Sequence, residues 1–231
     1  MKFEEDSDWR DWRNRFFLLY DTLNYSKGLQ GLVMNEGHKL LEKRYTANDK
    51  FSKIIEIGAG CGEHTHFIRH KFDEYHLTDI DANVLCAAKK NLVSNEQSKY
   101  KFCLAKEIEL NYPDDEFDRL IAAHVLEHIY RPHLALAEWK RVIKPGGTIS
   151  VLIPCDPGIL WRIGRKFARK KMTRLGLNYD YIMAREHVNP CNNLVTLLRH
   201  AFPTNKAVWW PTLIPSMDMN LFFVFHAIVD K

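Results

Sequence analysis

Residues 51–62 of the 231-residue chain read FSKIIEIGAGCG, and the prediction of the fold begins with them. It begins with a short apolar run of β-branched residues, which is the pattern of a buried strand. The run then meets three glycines at alternate positions, Gly58, Gly60 and Gly62. Glycine lets the backbone turn sharply and lets a ligand lie against it without a Cβ in the way. Because residues 63–72 can form a helix, the stretch predicts a strand, a glycine turn and a helix.

The pattern at this turn separates two classes of cofactor site. A dinucleotide site has the sequence G-x-G-x-x-G and holds a diphosphate at a helix N-terminus. Here Glu63 stands where the third glycine of that pattern belongs, so an anion would face the diphosphate. The pattern that is present, E-x-G-x-G-x-G, begins at Glu56 and resembles the cofactor loop of class I S-adenosylmethionine-dependent methyltransferases. An ordinary glycine-rich turn between a strand and a helix is the alternative.

That resemblance implies a set of cofactor-binding residues in the loop. S-adenosylmethionine carries no phosphate, and an acid near the loop can attract its methionine ammonium directly or through water. The residues implied in the loop are Glu56, Gly58, Ala59, Gly60 and Gly62. We therefore predict S-adenosyl-L-methionine as the cofactor.

A cofactor site of this kind predicts an acidic residue at the end of the second strand, and the sequence has one. Asp79 stands 21 residues after Gly58 and follows the strand that we predict at Tyr75–Thr78. An acid at this spacing can accept hydrogen bonds from both ribose hydroxyls. We predict that Asp79 and its neighbour Ile80 contact the cofactor. Asp81 is the competing acid, but it can instead cap the following helix, and either acid can simply lie at the surface.

Composition fits one α/β domain with a sizeable core. Hydrophobic residues make up 46% of the chain and charged residues 27%. No apolar run approaches the ~20 residues that a membrane span requires, and the charged N-terminus lacks the apolar centre of a signal peptide. The five cysteines form no C-x-x-C pair and their number is odd. They predict reduced thiols in a cytoplasmic protein.

Five motifs follow one another between about residues 50 and 155. They are E-x-G-x-G-x-G, D-x-D, P-D-x-x-F-D, H-V-L-E-H-I and R-V-I-K-P-G-G. Their order resembles the methyltransferase type 11 branch of the class I S-adenosylmethionine-dependent methyltransferases. The resemblance implies an α/β, Rossmann-like fold, with a seven-stranded, mostly parallel sheet, an antiparallel C-terminal edge strand and helices on both faces. It also implies a cofactor at the C-terminal ends of the strands, as is general for open α/β sheets.

The whole chain is predicted to be a single methyltransferase domain with four parts. Residues 1–48 read as an N-terminal helical cap, and residues 49–154 as the cofactor-binding core. Residues 155–190 form an insert on the side of the methyl acceptor. Residues 191–231 supply the last helix and the last two strands.

One position departs from the family pattern. Relatives usually carry an aspartate about eleven residues before the F-D pair, near the adenine amino group. This chain has Lys106 there, followed by Glu107. Either Glu107 or the backbone then takes the adenine contact, and both residues are candidate cofactor contacts. The departure is also the one feature in favour of an alternative reading, a non-catalytic partner subunit that keeps the fold.

Three histidines are candidates for catalysis. By resemblance, the residues after the fourth strand lie beside the methionine sulfur, which would make His124 a lining residue and His128 a proton-accepting base. If a helix begins near His124, the two share one face. The alternative is that Glu127 and His128 only cap or pair within the helix. We discount a metal site formed by His124 and His128, because the sequence shows no evident third ligand for them. His187 is the second candidate base, with an Arg185–Glu186 pair that only stabilises the loop as the alternative.

The positive charge of the chain is concentrated in the insert. Residues 162–174 hold seven Lys or Arg and no acid, so the net charge of +4 would be −3 without them (4 − 7). Leu160, Ile163 and Phe167 recur at helical intervals between the cations, which predicts an amphipathic cationic helix. It can bind a small anionic acceptor, attach to an acidic membrane surface or simply be solvated. Nucleic acid is disfavoured, since no known binding module is present.

These patterns lead to one hypothesis with open alternatives. We predict an S-adenosylmethionine-dependent methyltransferase that acts on a small polar acceptor, phosphorylated or nucleotide-linked. The methylated atom is expected to be oxygen, with nitrogen as the alternative. The alternatives are the non-catalytic subunit and a methyltransferase of a lipid-linked acceptor at a membrane. A nicotinamide oxidoreductase is opposed by Glu63 and by the C-terminal strands. The sequence makes no prediction about the oligomeric state.

Overall fold

Seven strands form one sheet at the centre of the structure. The computed structural model describes residues 6–24, 28–92 and 97–231. The strands are β1 Lys50–Ile57, β2 Lys71–Asp79, β3 Tyr100–Leu104, β4 Phe117–Ala123, β5 Ile143–Pro154, β6 Asn205–Trp210 and β7 Phe222–Ile228. Their order in the sheet is β3-β2-β1-β4-β5-β7-β6. Strand β7 runs antiparallel to both β5 and β6, whereas the other pairs are parallel. The predicted fold class is confirmed.

Helices cover both faces of this sheet. They are α1 Ser7–Asn24, α2 Leu29–Glu42, α3 Ala82–Asn91, α4 Pro132–Val142, α5 Ile159–Arg174, α6 Tyr179–Glu186 and α7 Cys191–Ala201. Successive residues of β1 point to opposite faces, as a pleated strand requires. Ile55 and Ile57 pack in the core that also holds α4 and α7, while Ile54 packs in the core on the side of α2 and α3. None of the described helices is long and apolar enough to cross a bilayer.

The helix that we predicted over residues 63–72 is wrong. A short 3-10 helix occupies Glu63–Phe67, and β2 begins at Lys71, before the predicted start at Tyr75. The reason is the distance that the chain must cover between the two strands. Lys71 pairs with Lys50 at the start of β1, so the chain has to return from the end of β1 along seven residues of that strand, roughly 23 Å. An α-helix of ten residues would advance only about 15 Å. A short turn followed by extended residues covers the distance instead.

No helix begins at His124, so the condition for a face shared with His128 is not met. His124 has a positive φ of 59°, which a right-handed helix excludes, and the helical turn after β4 is a 3-10 helix at Leu126–His128. His124 and His128 therefore do not share a helix face. They are related instead through Glu127, as the site geometry shows below.

Candidate functional site

The glycine turn after β1 is built from left-handed residues. The φ angles of Gly58, Gly60 and Gly62 are 63°, 55° and 86°, a region that side chains disfavour. A Cβ on Gly58 would also lie 2.6 Å from Cγ2 of Val125, the residue after His124. The glycine turn and the end of β4 are therefore in close contact, and the chain needs glycine here for two separate reasons.

Asp79 holds the turn from the end of β2. One of its carboxylate oxygens accepts the backbone N–H of Gly60 at 3.0 Å, and the other accepts the N–H of Asp81 at 3.0 Å. Burial raises the pKa of Asp79 above its usual value, although both hydrogen bonds act in the opposite direction. Asp81 caps α3 by accepting the N–H of Asn83 at 2.7 Å. The two acids thus have different partners, and Asp79 is the one bound to the glycine turn.

Two large apolar side chains flank Asp79 and remain exposed. Ile80 is 68% exposed, and Leu104, the partner of Asp79 in the β2–β3 register, is 61% exposed. An apolar pair beside a carboxylate suits a flat ring that carries hydroxyl groups next to it, as in a nucleoside. Ile80 was predicted from the sequence as a cofactor contact, whereas Leu104 was not. The position of Leu104 at the end of the predicted third strand, next to the strand that ends at Asp79, could have indicated a cofactor contact.

Glu56 is a residue of β1 and stands two positions before Gly58. Its side chain is buried and accepts a hydrogen bond of 2.7 Å from the Tyr75 hydroxyl. Burial raises the pKa of Glu56 to about 8, and the hydrogen bond from Tyr75 offsets only part of that shift. Glu56 is thus joined to Tyr75 of β2 inside the sheet, and its direct contact with a cofactor stays a prediction.

Lys106 and Glu107 lie in the loop that follows β3. The ammonium of Lys106 is exposed and pairs with Glu109 at 3.1 Å. The backbone carbonyl of Glu107 accepts the indole N–H of Trp139 at 2.9 Å. The backbone N–H of Ala105 reaches the carbonyl of Asp79 at 3.0 Å, so this loop is tied to the cofactor side of the sheet. A contact of Lys106 or Glu107 with adenine stays a prediction.

A buried carboxylate joins the first two histidines. Glu127 is 2% exposed, and its Oε1 lies 3.5 Å from His124 Nδ1 and 3.8 Å from His128 Nε2. Burial alone would raise the pKa of Glu127, but the contacts with His124 and His128 outweigh it and lower the pKa. Since Val125 touches the glycine turn, this group adjoins the predicted cofactor site.

His128 is held from the other side by α6. Its Nδ1 donates to the backbone carbonyl of Glu186 at 2.8 Å and lies 3.3 Å from the carboxylate of the same residue. Burial would lower the pKa of His128, but Glu186 and Glu127 outweigh it and raise the pKa to about 9. His128 therefore holds a proton tightly at neutral pH when these carboxylates are its only partners. Its proposed role as a base stays a prediction.

The insert brings the third histidine to the same place. His187 Nδ1 donates to Asp156 at 2.8 Å, and Asp156 also lies 3.4 Å from Arg165. The rings of His187 and His128 meet edge to face with centroids 5.1 Å apart. His187 was predicted from the sequence as a site residue. Asp156 was not, although it follows the end of β5, where the sites of open sheets lie.

Asn189 fixes the loop that carries His187. Its side-chain amide donates to the carbonyls of Leu126 at 2.9 Å and Ile129 at 2.6 Å. The backbone N–H groups of Val188 and Asn189 both reach the carbonyl of Glu127. The segment after α6 is thereby fastened to the 3-10 helix after β4. Arg185 and Glu186 do not pair with each other, which was the alternative. Arg185 pairs with Asp6, and Glu186 contacts His128 and Trp12.

A family model and curated proteins both match the central part of the chain. The model, described as a methyltransferase domain, matches residues 55–151. The ubiquinone/menaquinone biosynthesis C-methyltransferase UbiE of Neisseria meningitidis serogroup C is 32% identical over 127 residues, which are 52% of this chain and 51% of that protein. UbiE of Cupriavidus necator is 31% identical over 103 residues, 43% of this chain and 42% of that protein. The chain thus spans about half the length of the curated relatives that it matches.

Solved structures share the fold over nearly the whole chain. A phosphoethanolamine N-methyltransferase 2 of Haemonchus contortus, solved in complex with S-adenosyl-L-methionine, aligns with a TM-score of 0.66 at 12% identity and covers 100% of this chain and 61% of its own. A SAM-dependent methyltransferase of Thermotoga maritima, described as a possible histamine N-methyltransferase, aligns with a TM-score of 0.62 at 15% identity, covering 96% and 99%. At these identities the likeness shows the fold alone.

Proposed function

We propose that the chain, whose residues 55–151 match a model described as a methyltransferase domain, is a class I S-adenosylmethionine-dependent methyltransferase that methylates a small polar acceptor. The observation that carries the proposal is the left-handed glycine turn held by Asp79, with Ile80 and Leu104 exposed beside it. The acceptor is a hydroxyl-bearing, anionic molecule, and the methyl group is transferred to oxygen.

Asp79 has a double role in this proposal. It holds the N–H of Gly60, which fixes the turn, and its half-buried carboxylate faces the position where ribose hydroxyls bind in open α/β sheets. Ile80 and Leu104 offer apolar surface to the adenine ring. The turn is thereby shaped before the cofactor arrives, which lowers the cost of ordering it on binding.

The acceptor side follows from the cluster of Glu127, His128 and His187. S-adenosylmethionine supplies a methyl group on a sulfonium, which is a good leaving group. The acceptor oxygen forms a bond to the methyl carbon, the carbon–sulfur bond breaks, and its electron pair goes to sulfur. The hydroxyl proton must leave as the new bond forms. The cluster lies next to the glycine turn through Val125. Its proton acceptors are the Glu127 carboxylate and the Nε2 of a neutral His187, since His128 already holds a proton.

A second candidate acceptor is linked to lipid, and α5 favours it. Ile159, Ile163 and Phe167 repeat along one stripe of α5 and are 51%, 48% and 69% exposed. The cations Lys166, Arg169, Lys170 and Arg174 of the same helix line a pocket of about 380 Å³. Exposed apolar residues between cations are typical of helices that lie on acidic membrane surfaces.

We also propose a cytoplasmic location. All five cysteines are free thiols, as the sequence analysis predicted from their odd number and spacing. Free thiols persist in reducing compartments, so this state supports the proposal.

Calorimetric titration with S-adenosylhomocysteine tests the cofactor half of the proposal. We expect saturable binding by the intact chain and much weaker binding by Asp79→Ala. The absence of heat with the intact chain would remove the cofactor assignment. Transfer of a radiolabelled methyl group into a small-molecule extract and into a lipid extract then separates the two acceptors. Binding without transfer to either extract would favour the non-catalytic alternative.

Sedimentation with vesicles tests the second candidate separately. We expect the chain to bind vesicles that contain phosphatidylserine and not neutral phosphatidylcholine vesicles, if its acceptor is linked to lipid. Neutralising the lysines and arginines of residues 162–174 should abolish that binding. Unchanged binding by the neutralised variant would exclude this segment as the membrane contact.

A further inference from the structure

Three side chains of the acceptor cluster have the arrangement of metal ligands. One potential ligand atom from each of Glu127, His128 and His187 lies within 4.8 Å of the others. We propose that these three residues bind a divalent first-row transition-metal ion beside the glycine turn. The third ligand is not evident from the sequence, where a metal site was discounted, because His187 lies 59 residues after His128.

Both histidines are oriented as metal ligands are. His128 Nδ1 lies 2.8 Å from a backbone carbonyl and His187 Nδ1 lies 2.8 Å from the Asp156 carboxylate. Neither oxygen can donate, so each Nδ1 carries the proton, and each Nε2 keeps a lone pair when the ring is neutral. A ligating histidine almost always donates its other N–H to a carbonyl or a carboxylate, which fixes its tautomer and its orientation. Here both forms of that support are present.

A second observation, independent of the histidines, is that one carboxylate oxygen of Glu127 has no partner among the described residues. Its side chain is 2% exposed, and its Oε2 is buried and has no hydrogen-bond partner in the described part of the chain. An ionised carboxylate oxygen that is buried without a partner is costly. A cation beside this carboxylate would satisfy that oxygen, since Oε1 of the same carboxylate lies 3.8 Å from His128 Nε2.

The charge of the surroundings also favours a cation. Three carboxylates contact the two histidines: Glu127, Asp156 and Glu186. Against them stands Arg165, whose Nη1 lies 3.4 Å from Asp156. A divalent ion would offset the excess negative charge within the cluster.

The donor set selects the kind of ion. Two imidazoles and one carboxylate suit Mn²⁺, Fe²⁺, Co²⁺ or Zn²⁺, whereas Mg²⁺ and Ca²⁺ prefer oxygen ligands alone. Three protein ligands leave coordination positions open. Those positions suit an oxygen of the acceptor, and this use of the metal rests on the proposed methyl transfer. The binding of the metal ion itself does not depend on that proposal.

Cobalt titration of the untagged chain tests the proposal. We expect Co²⁺ to give a visible ligand-field absorption that saturates at one equivalent and that Zn²⁺ displaces. Glu127→Gln and His187→Gln should weaken binding at least 100-fold, while His133→Gln, which removes an exposed histidine of α4, should bind like the wild type. Asp156→Asn, which keeps the shape but weakens the support of His187, should weaken binding about 10–100-fold. Circular dichroism shows whether each variant is folded.

The outcomes separate this inference from the proposed function. No saturable Co²⁺ absorption in the wild type would overturn it, as would equal Co²⁺ affinities of His133→Gln, Glu127→Gln and His187→Gln. If one ligand variant does not fold, the other and Asp156→Asn decide in its place. Calorimetry with S-adenosylhomocysteine in the same samples reports on the cofactor site alone. Metal binding without cofactor binding would reject the proposed methyltransferase and leave the metal site. Cofactor binding without metal binding would reject the metal site and leave the proposed methyltransferase.

Discussion

Arg119 and Glu42 form a bidentate ion pair that is wholly shielded from solvent. Arg119 Nη1 lies 3.1 Å from one carboxylate oxygen of Glu42, and Nη2 lies 2.5 Å from the other. Both side chains have zero exposure. Burial alone would raise the pKa of Glu42, but the hydrogen bond with His64 and the charge of Arg119 lower it well below its usual value. The pair fastens the end of α2 to β4, and thus the helical cap to the sheet.

Removing one partner of this pair should be costly. We expect Arg119→Met to lower the free energy of unfolding by about 3–5 kcal/mol, because it removes the only guanidinium paired with the buried Glu42 carboxylate in the described part of the chain and leaves it the hydrogen bond with His64. The double variant Glu42→Leu with Arg119→Met should recover most of that loss. Urea unfolding at pH 7 measures each value. The control is Arg169→Met, which breaks an exposed pair with Asp180 and should cost less than about 1 kcal/mol. Equal costs for the two single variants would contradict the prediction.

Asp79 and Asp81 offer a matched pair for the cofactor site. Asp79→Asn removes the charge that holds Gly60, and we expect it to weaken S-adenosylhomocysteine binding about 10–100-fold, the effect of losing a charged hydrogen bond. Asp81→Asn removes the same charge two residues away, but asparagine caps a helix as well as aspartate does. It should bind like the wild type. Isothermal titration calorimetry compares the three proteins, and an equal loss in both variants would show that only overall charge matters.

The sheet was predictable because its signals are local. The apolar run before Gly58 marks β1, and Asp79 marks the end of β2, since each signal lies within a few residues of the feature that it predicts. The role of Asp81 as a helix cap was foreseen for the same reason. The helix predicted over residues 63–72 was wrong because its length depends on the register between β1 and β2, which one segment does not reveal.

The acceptor cluster was only partly predictable, because its contacts join distant segments. His128 and His187 were each named, but nothing in the sequence indicates that their rings lie 5.1 Å apart. Asp156 was missed because its partner His187 is reached only after two helices of the insert. The buried pair of Glu42 and Arg119 was missed because charged residues are usually exposed.

Gly58 should tolerate alanine less well than a glycine with similar backbone geometry. Gly58 and Gly146 have φ values of 63° and 76°, so alanine at either position has a left-handed backbone that costs about 1–2 kcal/mol. A Cβ at Gly58 also meets Val125 at 2.6 Å, whereas one at Gly146 meets nothing within 4 Å. We expect Gly58→Ala to cost a further 1–3 kcal/mol or so.

Chemical denaturation of both alanine variants checks this difference. Adding Val125→Ala to Gly58→Ala should remove the collision and restore part of the lost stability, though not the part due to backbone strain. The prediction is wrong if the two single variants are equally stable, or if the second substitution in the Gly58→Ala background gives no recovery.

Glu56 should make the stability of the chain fall as the pH rises. Burial raises its pKa to about 8 in the folded state, against 4.5 for an ordinary glutamate. Between these values the folded chain binds more protons than the unfolded chain, so the free energy of unfolding decreases with rising pH, by about 1.4 kcal/mol per unit from this group. Glu56→Gln keeps an acceptor for the Tyr75 hydroxyl and removes the titration. Urea unfolding at pH 5, 7 and 9 should therefore show near-equal stabilities at pH 5 and a variant that is more stable by several kcal/mol at pH 9. Parallel stability curves would mean that Glu56 is ionised in the folded chain across this range and is compensated by a partner other than Tyr75.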